Sequence, residues 1–347
     1  MILRFEHGAR DSLRTMHPGY FAMVMATSAL SVAAYCHDVP ILPAALLVLN
    51  TVFVLVLAAA YVCRACAYSD DFRLDIFNHS RGMGFFTLVA GLATYGTQIC
   101  LQTDARWLAV GLLGLSAVLW LVINYGVLAA LTTRADKPTL EHGLNGAWLL
   151  VVVAMQSLVV LATMLMAHGA FPQARHELAF LALAMWLAGG VLYVWIMALI
   201  VLRYAFTRME PEAFTSPYWI NMGAVAISTL AGAELVEHAS LSALLAEMLP
   251  FLKGGVVLFW AIASWWIPLL LVLGFWRHVM KDIALSYDTL HWGGVFPLAM
   301  YSICTFHVAR IFQLPFASAV SQLFMGLATV AWATVFIGLV DSFVLRD

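Results

Sequence analysis

The chain has 347 residues, of which 63% are hydrophobic and only 10% carry a charged side chain. A water-soluble domain has about a quarter charged residues, so this composition excludes a chain that covers itself with a water-facing surface. The net charge of −2 gives no basic surface of the kind that binds nucleic acid. Lipid is therefore the expected solvent, and the predicted class is an all-α integral membrane protein.

Ten apolar segments are long enough to cross a bilayer as helices, which takes about 20 residues each. The first segment follows three arginines, as in a secretory signal peptide, but nine further apolar segments favour a retained first span. The connections are short, so residues 1–347 are predicted to form a single transmembrane domain of five helical hairpins. The predicted spans are 19–36, 41–63, 82–101, 107–131, 145–168, 178–202, 216–235, 250–276, 290–310 and 315–343.

The distribution of Lys and Arg predicts the orientation, because cytoplasmic loops of membrane proteins are enriched in both. With a cytoplasmic amino terminus, the inner loops hold thirteen cations: Arg4, Arg10, Arg14, Arg64, Arg73, Arg81, Arg134, Lys137, Arg203, Arg208, Arg277, Lys281 and Arg346. The outer ends hold four: Arg106, Arg175, Lys253 and Arg310. The prediction is a multi-pass protein of the cell membrane with both termini cytoplasmic.

The odd-numbered and even-numbered segments differ in polarity. Counting Ser, Thr, Asn and Gln, the first four odd segments hold fifteen such residues and the first four even segments hold five. Polar side chains within a membrane must lie against protein or water, whereas a helix that is apolar all round tolerates lipid. We therefore expect the odd helices to form an inner five-helix pore and the even helices an outer ring. The tenth segment, with six polar residues, is an exception that could face another subunit.

Small and polar residues on the odd segments are the candidate pore lining. In the third segment they recur at spacings of three and four, which places them on one helical face. Such residues also permit close packing between membrane helices, and both interpretations stay open. The candidate pore-lining residues are Pro18, Thr27, Ser31, Thr87, Gly91, Thr94, Gln98, Gln156, Pro217, Asn221, Ser228 and Pro297.

Pro297 lies within the ninth predicted span, where it cannot donate a hydrogen bond to the Gly293 carbonyl. One interpretation is a second, short helix that begins after Pro297 and directs its positive end at an anion inside the membrane. The other is a simple kink. The amino ends of all five odd helices would face the same side, so their dipoles would add.

No Lys or Arg lies in the middle of any predicted span, while Glu234 and Arg310 lie near the outer ends of the seventh and ninth. There, Glu234, His307 and Arg310 form a possible outer vestibule. A pathway without a fixed cation binds anions weakly and transiently, which suits rapid conduction. The Cys and His residues have no spacing typical of a zinc or haem site, so no metal and no cofactor is expected.

Four stretches carry a resemblance to a known family. HPGYFAMVMATSALS from His17, RGMGFFTLVAG from Arg81, SPYWINMGAVAIS from Ser216 and HWGGVFPLAMYS from His291 resemble, in order, the first, third, seventh and ninth helices of the tellurite-resistance/dicarboxylate transporter family. That family includes bacterial tellurite-resistance channel homologues, fungal malate and sulfite permeases and the plant slow anion channels.

The resemblance implies a homotrimer in which each subunit has its own pore, formed by the five odd helices. It also implies that Phe296 plugs this pore, and that Pro18, Pro217 and Pro297 correspond to kinking prolines of the pore helices. The family's substrates range from halide and nitrate to malate, sulfite and tellurite, so the resemblance does not fix the anion.

The sequence thus favours an anion channel or permease for small anions, with Phe296 as the gate. One alternative is a proton-coupled carrier of C4-dicarboxylates such as malate, for which Glu234 or His307 would be the titrating group. Another, from a different class, is a haem- or quinone-dependent membrane enzyme, which a Soret band of the purified protein would reveal.

Overall fold

The computed structural model describes residues 12–284 and 287–344, so Arg4, Arg10 and Arg346 of the charge count lie outside the described residues. Ten helices in these ranges are long and apolar enough to cross a membrane, and no β-strand occurs among them, which confirms the all-α, ten-span prediction. The spanning α-helices are α1 Ala22–Cys36, α2 Leu42–Ala67, α3 Phe86–Gln102, α4 Arg106–Thr133, α5 Leu150–Ala167, α6 Arg175–Phe206, α7 Ile220–Glu237, α8 Leu249–Phe275, α9 Trp292–Phe312 and α10 Pro315–Val344.

A short 3₁₀ turn precedes each odd helix, a feature that the sequence analysis did not predict. Side chains cap three of these turns. His17 Nδ1 accepts a hydrogen bond from the Gly19 N–H. In the same way, Asn145 Oδ1 accepts from the Ala147 N–H and Asp288 Oδ1 from the Leu290 N–H. Such caps satisfy amide groups that have no partner at a helix start. The turns are Pro18–Phe21, Gly82–Phe85, Gly146–Leu149, Ser216–Trp219 and Thr289–His291.

The odd and even spans differ sharply in burial. The most apolar stretches of the odd spans are 72% to 94% buried within the chain, against 11% to 33% for the even spans. The exposed side chains of the even helices are largely apolar, which suits a surface that faces lipid. This division follows the polarity difference between odd and even segments in the sequence.

The odd helices contact one another in a closed circuit. Each one packs on the next odd helix along the chain, and α9 packs back on α1. The five 3₁₀ turns repeat the same circuit at one end of the bundle. Each even helix contacts the odd helix before it and the odd helix after it, with α10 returning to α1.

The circuit of turns depends on a very close approach between two backbones. A Cβ atom on Gly146 would lie 2.2 Å from the carbonyl oxygen of Pro217, a distance that no side chain can accommodate. Only glycine allows the third turn to meet the fourth in this way.

The helix α9 is a continuous α-helix that includes Pro297, so of the two interpretations left open, the second, short helix beginning after this proline is wrong. Pro297 lies in the second turn of α9, where the lost hydrogen bond concerns only the carbonyl of Gly293 near the helix start. A proline so close to a helix start removes little of the hydrogen-bond ladder, and the helix continues past it.

A buried ion-pair network lies at the end of the bundle where the odd helices begin. Asp75 accepts from Arg64 Nη2 at 2.6 Å and from Arg81 Nε at 2.5 Å. The same arginines donate to the backbone carbonyls of Arg14 and Met16, ahead of α1. The network therefore fixes the chain that leads into the first odd helix. We call this end, with Arg64 and Arg81, the basic end, and the opposite end, with Glu234 and Glu237, the acidic end.

Candidate functional site: an axial cavity and its acidic end

A small cavity of about 20 Å³, with room for about one water molecule, lies where the five odd helices meet, and every one of them contributes to its wall. We call it the axial cavity, because the helices that line it form the closed circuit. Its polar lining consists of Ser28, Thr94, Thr97 and Ser157. Its larger apolar lining consists of Ala29, Val32, Val160, Ile227, Leu230, Met300 and Ile303.

No charged side chain lines the axial cavity among the described residues. The atoms that face the cavity are almost all apolar, so its wall offers an ion no fixed charge. A wall without a fixed charge does not hold an ion tightly, which is one requirement of rapid conduction.

Phe296 lies on the same face of α9 as Met300 and Ile303, one turn nearer the basic end. Residues four and seven apart share a helical face, so Phe296 lies on the side of α9 that faces the cavity. Its side chain is fully buried, with 0% exposure.

The same spacing places two titratable residues one turn beyond the cavity wall, towards the acidic end. Glu234 follows Leu230 on α7, and His307 follows Ile303 on α9, each one turn further along. His307 Nε2 lies 3.8 Å from a carboxylate oxygen of Glu234, and its Nδ1 lies 3.1 Å from one of Glu237. An acid–imidazole cluster thus lies one turn beyond the cavity, at the acidic end of the bundle.

Two further basic side chains belong to this cluster. His238 Nδ1 lies 3.3 Å from Glu234, and Arg310 lies 4.0 Å from Glu237. The hydrogen bond with Glu234 raises the pKa of His238 above its usual value, against the opposing effect of burial. Each carboxylate of the cluster therefore has a nitrogen partner, and the predicted vestibule residues Glu234, His307 and Arg310 lie together.

The predicted pore-lining residues fall into three groups. Thr94 is the one that lines the axial cavity. Others are directed at even helices: Thr27 accepts from Trp332 of α10, while Gln98 and Ser31 bond to α2 through Asn50 and the Pro43 carbonyl.

Three of the predicted residues contact α6. Gln156 donates to the Trp186 carbonyl, Trp186 Nε1 donates to the Ser228 carbonyl, and the Tyr193 hydroxyl donates to the Asn221 carbonyl. Polar groups on an odd helix can therefore bond to a peripheral even helix and need not face the interior of the bundle.

The remaining predicted residues lie near the starts of the odd helices. The Pro18 carbonyl accepts from Tyr61 and, at 3.3 Å, from Thr87, while Pro217 meets the third turn and Pro297 meets α7. A Cβ atom on Gly91 would lie 3.0 Å from the Phe21 ring of α1, so this glycine faces a neighbouring odd helix.

The sequence analysis did not single out most of the cavity wall. Ser28 and Ser157 are polar and could have been included, but Ile227, Leu230 and Met300 are apolar residues in apolar helices. Such residues carry no local signal that separates a cavity wall from a packed core. They are identifiable only once the neighbouring helices are placed around the axis.

The fold and this axial cavity define a polytopic helical membrane protein of the transport class. The chain belongs to the voltage-dependent anion channel (SLAC1) family, whose model matches residues 15–340. A membrane anion-transport role follows, and the chain is a transport protein rather than an enzyme. The membrane-enzyme alternative is thereby excluded.

Individual relatives agree with this assignment. An uncharacterized membrane protein of Mycobacterium tuberculosis is 33% identical over 148 residues, covering 43% of this chain and 75% of that protein. An uncharacterized transporter of Methanocaldococcus jannaschii is 23% identical over 316 residues, covering 87% of this chain and 86% of that protein. A second transporter of the same organism is 22% identical over 311 residues, covering 86% of each chain.

Proposed function

We propose that the chain is a channel or permease that lets small anions cross the membrane passively along the axis of the five odd helices. The observation that carries this proposal is the axial cavity, whose wall comes from all five odd helices and has no fixed charge among the described residues. Halide and nitrate fit such a wall, because they cross without a counter-charge that would trap them.

Phe296 is the proposed gate. It is fully buried, on the side of α9 that faces the cavity. A bulky ring in a narrow, weakly polar passage opposes ion flow by steric exclusion and by keeping water out. Opening then requires the ring to leave the axis.

The parallel odd helices favour anions at the basic end. All five begin there, and each helix start carries about half a positive charge. Arg64 and Arg81 add two cations to one carboxylate, Asp75, at the same end. We assign this end to the cytoplasm and the membrane to the cell membrane, in line with the excess of Lys and Arg in the predicted inner loops.

A second candidate function is a proton-coupled carrier of C4-dicarboxylates. The acid–imidazole cluster favours it, because Glu234 and His307 lie one turn beyond the cavity and could exchange a proton. Against it, both ends of a dicarboxylate need hydrogen-bond donors or cations, which the wall of the axial cavity does not supply.

We also propose a homotrimer with one pore in each subunit. The support is the outer face of α10, where Ser318, Gln322 and Gly326 are exposed at four-residue spacing. A glutamine amide facing lipid is costly, and a second copy of the chain would give it a partner.

The test is anion flux into liposomes that contain the purified chain, measured for chloride, nitrate, malate, sulfite and tellurite with and without a pH gradient. The proposal expects chloride or nitrate flux that needs no pH gradient. Malate uptake that depends on a proton gradient, without chloride or nitrate flux, would favour the carrier. Liposomes that pass none of these anions would refute an anion pathway in this chain.

A further inference from the structure

Two arginines at the basic end are wholly or partly buried without a carboxylate partner. Arg203 lies in the last turn of α6, and Arg277 lies in the π-helical turn Trp276–Met280 that follows α8. No Asp or Glu forms an ion pair with either guanidinium among the described residues. The buried network at the same end differs, since Asp75 balances its two arginines. The charges of Arg203 and Arg277 are therefore left without an acid to balance them.

The guanidinium of Arg203 is held by neutral groups. Its Nη1 donates to the Leu144 carbonyl and to the Tyr218 hydroxyl, and its central carbon lies 5.7 Å from the centre of the Tyr218 ring. Arg203 is only 5% exposed. The carboxyl end of α6 supplies about half a negative charge, which does not balance a whole buried cation. An uncompensated buried charge is costly, and a bound anion would remove that cost.

Arg277 reaches the same segment of the chain. Its Nη1 donates to the Phe214 carbonyl. The Phe214 ring stacks on the Tyr218 ring, with centres 5.2 Å apart and an angle of 9° between the two planes. Both guanidiniums therefore contact the segment 214–218, which leads into α7.

Each guanidinium keeps donors that the protein does not use. The Nε atoms of Arg203 and Arg277 are buried and have no acceptor among the described residues. Their Nη2 atoms have no acceptor there either, but they are not enclosed as the Nε atoms are. Arginine presents its N–H groups in a planar fork that matches the oxygens of a phosphate. The two Nη2 groups are thus available to a phosphate ligand.

The surroundings of the two arginines favour a phosphate that belongs to a lipid. Phe206, three residues after Arg203, is 79% exposed. Phe275 and Val279, two residues before and after Arg277, are 58% and 63% exposed. An apolar surface of this kind suits acyl chains, whereas a free phosphate ion gains nothing from it. Basic sites between membrane helices, close to the bilayer surface, bind the headgroups of anionic lipids.

We propose that Arg203 and Arg277 form a binding site for the phosphate group of an anionic phospholipid, beside the segment 214–218 at the basic end. The acyl chains lie along the exposed apolar faces of α6 and α8. Because the segment 214–218 leads into α7, the bound lipid holds the start of a helix that lines the axial cavity. The site is separate from that cavity, so its occupation does not depend on which anion the chain conducts.

Native mass spectrometry of the purified full chain tests the site. The chain is equilibrated with neutral detergent micelles in which phosphatidylglycerol replaces phosphatidylcholine at rising mole fractions, and the fraction of protein that retains phosphatidylglycerol is measured. A hydrogen bond to a charged group contributes enough that Arg277→Gln should raise the half-saturating mole fraction about tenfold.

Arg134→Gln is the matched control. Arg134 is an exposed arginine that directly follows α4 at the basic end, and it also donates to a backbone carbonyl, that of Phe77. A general attraction between surface arginines and anionic lipid would act on it equally. Arg134→Gln should leave the half-saturating mole fraction unchanged.

Arg203→Gln should weaken retention of phosphatidylglycerol as Arg277→Gln does. Thermal unfolding checks that each variant is folded. If Arg203→Gln does not fold, Arg203→Lys replaces it, because lysine keeps the charge but lacks the planar fork, and it should weaken retention in the same direction.

The proposal is overturned if wild type retains phosphatidylglycerol no better than phosphatidylcholine, or if Arg277→Gln retains it as well as wild type does. An equal loss in Arg134→Gln would also overturn it, since binding would then reflect surface charge alone. Excess inorganic phosphate distinguishes the two sources of the ligand. Retention of phosphatidylglycerol in its presence supports the lipid site, and complete displacement would assign the arginines to a free phosphate ion instead.

Discussion

Pro297 of α9 lies directly against Gly223 of α7: a Cβ atom on residue 223 would come within 2.7 Å of the proline Cγ. The pyrrolidine ring is rigid, so it cannot move aside as a flexible side chain would. Because Phe296 is the adjacent residue, the contact between α7 and α9 also fixes the backbone that carries the proposed gate.

Gly223→Ala should therefore destabilise the chain by about 1–3 kcal/mol, the usual cost of forcing extra volume into a packed interior. Thermal unfolding of the purified protein in detergent measures this. Gly126→Ala is the control, because a Cβ atom there would meet nothing within 4 Å. Equal melting temperatures for the two variants would show that the contact is looser than the structure indicates.

Among the carboxylates at the basic end, Asp75 should contribute most to the stability of the fold. Asp75→Asn leaves the guanidinium of Arg64, whose side chain is 4% exposed, without its charged partner, and breaking a buried pair costs about 3–5 kcal/mol. Asp71→Asn removes an exposed partner of Arg14 and should cost no more than about 1 kcal/mol. Chemical or thermal unfolding distinguishes the two, and a larger loss for Asp71→Asn would contradict the network described here.

His17 should make the stability of the chain depend on pH. Burial, and then the nearby Arg81 guanidinium, lower the pKa of His17 from its ordinary 6.5 to about 4. The neutral ring accepts the Gly19 N–H, so its contribution is complete above pH 6.5 and is lost progressively as pH falls from 6.5 towards 4.

The measurement compares wild type with His17→Asn, since asparagine caps a helix start without titrating. Between pH 6.5 and 5, wild type should lose up to about 1.4 kcal/mol per pH unit more than the variant. Parallel melting temperatures across this range would show that His17 does not couple to protons.

Substitution of Glu234 distinguishes a passive channel from a proton-coupled carrier. Glu234→Gln keeps the shape of the side chain and removes its charge and its proton exchange. Passive conduction needs neither, so chloride or nitrate flux should not fall and should keep its pH dependence. Glu237→Gln, in the same cluster, serves for comparison. Loss of pH-dependent uptake specific to Glu234→Gln would favour the carrier.

The ten spans could be predicted from the sequence because a membrane helix needs a long apolar stretch that few other structures require. The 3₁₀ turns could not, since their form depends on contacts such as that between Gly146 and Pro217, which lie far apart in the chain. Of the two interpretations left open for Pro297, the helix break was wrong, because the cost of a proline depends on how near it lies to the helix start.

The candidate site was harder to predict than the fold. A polar residue on an odd helix can face the axis, as Thr94 does, or a peripheral helix, as Gln156 does, and helical periodicity alone cannot separate the two directions. Asn50 was not considered at all, because it lies on an even helix that is otherwise apolar. Its contact with Ser28 emerges only from the packing of α2 on α1.

The most direct test of the central claim, an anion pathway along the odd-helix axis closed by Phe296, is anion flux through Phe296→Ala in liposomes. Phe259→Ala is the matched control, since it removes an identical ring that packs on Trp186 between α6 and α8, away from the axis. We expect chloride or nitrate flux to rise at least about tenfold in Phe296→Ala, a barrier lowered by about 1.4 kcal/mol, and to stay at the wild-type level in Phe259→Ala. Unchanged flux in a folded, equally reconstituted Phe296→Ala protein would contradict the account.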